Sequence, residues 1–269
     1  MANFDAQITE LVGGTIDQTA CDQWAADACK EIIPQLPMKL KVKCSTVSLL
    51  NNSATTMDLD GVGDIVHVTR ENADSGYQVP CREIPAAYGG LATDPNDLNY
   101  YGTATDPVFW IASNTSDAGT IFVKPDPTAN QLAYVHHITY PTVNVSDVDT
   151  IANFPDEAES LVVLYVATRQ LLQFQSTMSS SWNSDITTAL TSALNVINNN
   201  QPSATTDAYG ALNNEDVEIM QAAITLANQQ LGEAGARLQQ DSAKYQWYGD
   251  QYAKLSAEYQ RGLAAIKGG

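Results

Sequence analysis

The chain is short of charge, and shortest of positive charge. Of 269 residues only 16% are charged, and 31 acids face 13 bases, for a net charge of -18. Nucleic-acid binding needs clustered Lys and Arg to displace counterions from phosphates, so this chain is expected to repel a polyanion. Histidine is scarce: His67, His136 and His137 are the full set. All three fall in strand-like runs, where adjacent side chains point to opposite faces, so the neighbouring pair does not chelate one metal. Cys21, Cys29, Cys44 and Cys81 show no C-x-x-C spacing. On a shared helix Cys21 and Cys29 stand about 12 Å apart, too far for a disulfide, and buried free thiols are the expectation. No apolar run reaches about 18 residues, and "MANFDAQITEL" has neither a basic nor an apolar leader region. Synthesis in a cytoplasm without a membrane anchor is therefore expected. A Walker lysine, G-x-S-x-G and H-E-x-x-H are missing, and "DGVGDIV" at 60–66 lacks the third glycine of a dinucleotide turn. The expectation is no enzyme, no cofactor and no metal.

What is present begins with Cys21, Ala25, Ala28, Cys29, Ile32 and Leu36 at helical spacing, with Asp17 or Thr19 as cap. The pattern predicts a helical hairpin over residues 3–36. "PMKLKVKCS" then alternates, setting Lys39, Lys41 and Lys43 against Leu40, Val42 and Cys44. That is the pattern of a strand with three ammonium groups on one face. Two readings stand: an edge strand kept soluble by lysine, or a face that docks on an acidic partner. Residues 1–45 thus form the first division.

Residues 46–153 read as an acidic β insertion, a compact antiparallel unit. The runs "DIVHVTR", "GYQVPCREI", "VFWIASN", "TIFVKP" and "QLAYVHHITYP" are separated by Gly, Pro, Asn and Asp. The acidity sits here: residues 46–160 hold sixteen acids against three bases. Sequons at Asn51, Asn114 and Asn144 are read as chance occurrences.

Residues 154–200 are read as central bundle helices. In "FPDEAESLVVLYVATRQLLQF", Pro155 suits a first helical turn, and Asp156, Glu157 and Glu159 complement its positive end. Leu161, Leu164, Tyr165, Leu171 and Leu172 cover more than one face, so this core helix is expected to be the most buried in the protein. "DITTALTSALNVINN" predicts a further amphipathic helix. Residues 201–214 read as a polar linker. Over 215–269, Val217, Ile224, Leu231, Leu238, Tyr245, Tyr252, Tyr259 and Ile266 repeat every seven residues, with a companion series that includes Tyr248 and Leu255. This predicts one long helix, or a hairpin broken at Gly232 and Gly235, that serves as an element for docking on a neighbouring subunit or a partner protein. Tyr245, Trp247, Tyr248, Tyr252 and Tyr259, like Leu255 and Ile266 beside them, suit either core or a protein interface. The fold class expected is α+β, mainly α: a helical bundle with an inserted small antiparallel β unit and a long heptad-patterned C-terminal segment.

This order of elements, with "FPDEAESLVVLYVATRQLLQF" at its centre, resembles the head-to-tail adaptor (neck, or connector) proteins of tailed bacteriophages. "YQWYGDQYAKLSAEYQRGLAAI" is similar to the C-terminal helix of virion structural proteins of marine and cyanobacterial phages. The likeness covers most of the chain as an order of elements, and its specific wording is confined to 154–174 and 245–266. The long heptad region departs from compact adaptors and admits a related neck, stopper or fibre-docking protein. The resemblance implies a homo-oligomeric ring, commonly twelvefold, at the head–tail junction of the virion. It would bind the portal protein and a tail tube, nozzle or tail-terminator protein, with fibres as further partners and DNA passing without specific binding. An acidic wall suits such a conduit. The alternative is a receptor- or carbohydrate-binding, or fibre-docking, virion module that uses the Tyr- and Asp-rich loop "AAYGGLATDPNDLNYYGTATDPVFW".

Overall fold

A computed structural model describes residues 3–72, 76–113, 119–147, 149–197 and 207–267. The sequon at Asn114 and residues 201–206 of the expected linker lie outside these. The chain divides into two compact units, one of Met1–Asp5, Gln18–Val163 and Arg261–Gly269, the other of Ala6–Asp17 and Leu164–Gln260.

In the first unit, helix α2 (Gln18–Ile32) buries Cys21, Ala25, Ala28, Cys29 and Ile32 along one face. A 3-10 turn (Ile33–Gln35) carrying Pro34 ends it. The lysine run that follows is not a strand. It forms a short helix α3 (Met38–Lys41) and a 3-10 turn (Val42–Cys44), and strand β1 starts only at Ser45 (Ser45–Leu50). Pro37 sets the entry angle, and its carbonyl accepts from the amides of Leu40 and Lys41. Met, Lys and Leu are good helix formers, so a six-residue alternation does not hold the chain extended.

Seven more strands follow: β2 (Thr56–Asp58), β3 (Val62–Glu71), β4 (Gln78–Pro80), β5 (Arg82–Glu83), β6 (Val108–Ser113), β7 (Gly119–Lys124) and β8 (Ala133–Thr139). They make two four-stranded sheets, ordered β1-β8-β3-β4 and β2-β7-β6-β5. The expected fold class is thereby corrected. The β region is no small antiparallel insertion in a helical bundle but a two-sheet body with its own core, and β5 runs parallel to β6. Leu50, Val68, Ala133 and Val135 of the first sheet meet Phe109, Ile121 and Val123 of the second in one buried cluster. The alternate residues Val108 and Trp110 of β6 pack on the other face with Ile84 and Ala92, under a 3-10 segment (Ala86–Thr93). The chain changes sheets at Cys81, whose amide still donates to Val68 of β3 while the Arg82 amide donates to Pro107.

The long helices also differ from expectation. Helix α4 (Asp156–Ile197) is one piece of 42 residues, so "DITTALTSALNVINN" continues the core helix instead of starting another. In its Ser- and Thr-rich middle the hydroxyls of Thr177, Ser180, Ser181, Thr188 and Thr191 donate back to carbonyls three or four residues earlier, which satisfies them inside the helix. Helix α6 (Val217–Lys267) runs unbroken for 51 residues through Gly232 and Gly235. Two glycines at about 1 kcal/mol each do not stop a helix rich in Ala, Leu, Gln and Glu. Part of the expected linker is itself helical, α5 (Ala208–Asn213), where Asp207 Oδ1 accepts from the Gly210 amide at 2.6 Å. Helix α1 (Phe4–Val12) ends at Gly13, whose φ of 65° favours glycine, and a Cβ there would come within 3.0 Å of the Trp247 ring.

Candidate functional site

The acidic sheets hold three bases, and each is engaged within the chain. Arg70 of β3 is buried at 2% exposure. Its guanidinium donates to the carbonyls of Pro125 (2.9 Å), Asp126 (3.2 Å) and Glu71 (3.1 Å) and to Gln131 Oε1 (2.6 Å). Arg82 pairs with Asp106 at 2.9 Å, and Lys124 with Asp126 at 2.6 Å. Asp58, Asp60, Asp64, Glu83, Asp149 and Asp156 are exposed, so the surface field is strongly negative. In the Tyr- and Asp-rich loop, Asp94 and Asp97 accept from amides of that loop, Asn96 for the first and Asn99 and Tyr100 for the second. Tyr88 and Tyr100 stack on each other at 4.4 Å.

The three lysines expected to share one strand face are separated by the helical path. Lys41 pairs with Asp64 at 3.7 Å and Lys43 with Glu157 at 3.0 Å, while Lys39 is exposed. The Glu157 carboxyl lies below its ordinary range, held first by its own amide and then by Lys43. These lysines neutralise acids of their own chain, through exposed pairs that add little stability.

Lys41, Asp64, His67, Cys81 and Glu83 line a cleft of ≈ 750 Å³ floored by Phe109 and Ile111. Among the described residues no three His, Cys, Asp or Glu side chains are placed to hold a metal ion. All four cysteines are free, and burial pushes the Cys29 and Cys81 thiols up to about 12 and Cys44 up to about 11. Such thiols are poor nucleophiles. His67 and His136 stack across β3 and β8 with centroids 3.9 Å apart, and His137 Nε2 meets Ser48 Oγ at 3.0 Å.

Burial first, then His67 and His137, pushes His136 below its ordinary value of 6.5. As pH falls the unfolded chain takes up this proton before the folded one does. The contribution is therefore complete above the ordinary value and is lost as pH drops towards the lowered one. Between about pH 7.5 and 5, wild type is expected to lose more urea resistance than His136→Gln. Parallel curves for the two proteins would remove His136 from the account.

On α4, Leu161 and Leu171 are buried, Leu164 and Tyr165 half-buried, and Leu172 is 38% exposed. Three successive positions are buried at Leu161–Val163 and again at Val166–Thr168, so more than one side of the helix is covered. The second unit pairs α4 with α6 through aromatic rings: Tyr165 with Tyr259 (5.8 Å), Phe174 with Tyr248 (5.3 Å) and Trp182 with Tyr245 (5.2 Å). Numbers rise on one helix as they fall on the other, so the two are antiparallel. Tyr248, Leu255 and Tyr259 are buried, Tyr245, Tyr252 and Ile266 half-buried, and Trp247 is 43% exposed. Of the aromatic tail, one of whose two readings was a protein interface, Tyr248 and Tyr259 lie in the chain's own core against α4, while Trp247 stays exposed.

The uncovered part of the heptad series is its first half. Val217, Ile224, Leu231 and Leu238 on α6, with Ile186, Leu190, Leu194 and Ile197 on α4, are each between 40% and 61% exposed. The α4 residues, spaced by four, four and three, are the apolar side of the segment read as an amphipathic helix, though that reading does not name them as a surface. Periodicity shows that a helix has an apolar side without showing what covers it. In a scan against protein-family models and a search of curated proteins, nothing matches this chain.

Proposed function

We propose that this chain is a structural virion protein, a head-to-tail adaptor that forms a homo-oligomeric ring between portal and tail, its acidic sheets lining the DNA conduit. The observation that carries the reading is the engagement of Arg70 in the core and of Arg82 and Lys124 in surface ion pairs with Asp106 and Asp126, beside exposed acids. Duplex DNA carries one negative charge per about 1.7 Å of axis. A wall that presents acids and withholds its cations lets such a polymer slide without adhering. Portal and tail proteins are the partners of this reading, and fibres a further one.

The test joins an image to a charge change. Imaging of the particle with this chain located should place it at the head–tail junction. Replacing Asp60, Glu83 and Asp149 by Lys should leave particles intact and slow DNA release severalfold at low salt, with recovery at high salt. Unchanged release, with the sheets on the outside of the ring, would remove the conduit role.

A further inference from the structure

The distal half of the α4–α6 pair is built inside out. Ala193, Ala223 and Ala227 are buried, while eight large aliphatic residues at helical spacing, Ile186, Leu190, Leu194, Ile197, Val217, Ile224, Leu231 and Leu238, are exposed, as are Ile219 and Leu226. A helix pair that hides alanine and shows leucine buries little apolar area alone and leaves most of it in water. A cleft of ≈ 360 Å³ lies between the same helices, lined by Trp182, Ile186, Gln230, Arg237 and Leu238 among others. Two buried atoms in it, the donor Trp182 Nε1 and the acceptor Gln230 Oε1, have no hydrogen-bond partner. Buried polar groups are almost always paired, so an unmatched donor and an unmatched acceptor lining one cleft mark a place for a group that supplies both. An amide does so: its carbonyl takes the indole proton and its N–H reaches the glutamine oxygen.

We infer that this face binds the same face of a second copy of the chain, forming a bundle of four helices, with an amide of one copy entering the cleft of the other. Charge selects the second copy as occupant. Two chains of net charge -18 repel, and here that repulsion is weakest. Residues 186–197 carry no charge, and residues 217–240 carry only Glu218, Glu233 and Arg237, although Asp185 and Asp241 also line the cleft. The seven-residue spacing of Val217, Ile224, Leu231 and Leu238 is what a helix of the same pitch packs against. Size agrees. At 1.5 Å per residue the α6 stripe runs about 32 Å, and two helices side by side are about 20 Å across. The face therefore offers roughly 600 Å² per copy, near the roughly 800 Å² per partner of a stable interface. A same-face contact closes at two copies, whereas neighbours in a cyclic ring meet through different faces, so this pairing goes beyond the ring reading and does not build the ring.

The test measures the mass of the full chain in solution at increasing concentration, for wild type, Leu190→Asp and Leu231→Asp. Wild type should associate, and each variant should do so at least a hundredfold more weakly with an unchanged helical circular dichroism spectrum. Should an Asp variant misfold, Leu190→Gln and Leu231→Gln serve in its place, since both positions are exposed. Association should also shift Trp182 fluorescence, read in a chain whose other tryptophans are Phe. A wild type that stays monomeric at roughly 100 µM overturns the inference. So do variants that associate like wild type, and in that case the ring reading survives with copies meeting elsewhere. Monomeric variants, with this chain located away from the head–tail junction, would keep the interface and remove the ring.

Discussion

A chain ending at Gln239 is expected to lose cooperative folding. The deleted segment contains Tyr248, Leu255, Tyr259 and Leu263, all buried, and it supplies the ring partners of Tyr165, Phe174 and Trp182. Truncating one buried aromatic residue costs about 3–5 kcal/mol and one buried leucine about 2–5. Whole domains are stable by about 5–15 kcal/mol, so the loss of four exceeds what such a chain holds in reserve. Tyr259→Ala alone should lower stability by about 3–5 kcal/mol. Circular dichroism and urea titration check both: the truncated chain should show a broad transition or none, and Tyr259→Ala a lower midpoint at an unchanged slope. A soluble truncated chain with a sharp transition would mean that α6 is an appendage and that its aromatic residues serve a partner.

Arg70→Leu is expected to be nearly as damaging, by about 3–5 kcal/mol. The side chain is 2% exposed and donates to three carbonyls and one side-chain amide. Leucine fills part of the space and leaves those acceptors facing an apolar group. Lysine keeps the charge but not the planar fork, and Arg70→Lys should recover only part of the loss. The readout is again the urea midpoint. A loss below about 1 kcal/mol for Arg70→Leu would mean that water replaces the guanidinium without penalty.

The parts of the fold that were legible are those written in nearest neighbours. "VFWIASN" and "TIFVKP" became β6 and β7 because β-branched and aromatic residues stand between turn formers, and α2 followed its Cys21–Ala25–Cys29–Ile32 spacing. Pairing is a long-range matter. That β5 would lie parallel to β6 while β4, two residues earlier, joins the other sheet is not written in either segment. The lysine run misled because six alternating residues satisfy a strand and a short helix almost equally, and Pro37 decides. A further helix is expected at "DITTALTSALNVINN", but the Ser-rich stretch before it stays helical and joins it to the core helix. On α6 the repeat announced a helix but not which half of its stripe would be covered. The exposed face is therefore known from burial and not from pattern.

The corner at Cys81 ties the two sheets' weakest members together. β4 and β5 are three and two residues long, and alone each would fray from its neighbour. They are one stretch of chain bent at a single residue, held to β3 by the Cys81 amide and to β6 by those of Arg82 and Ile84 through Pro107 and Phe109. Peeling one away drags on the other, so the short edge of each sheet opens only when both do. Two sheets that could melt in sequence are thereby joined into one cooperative step.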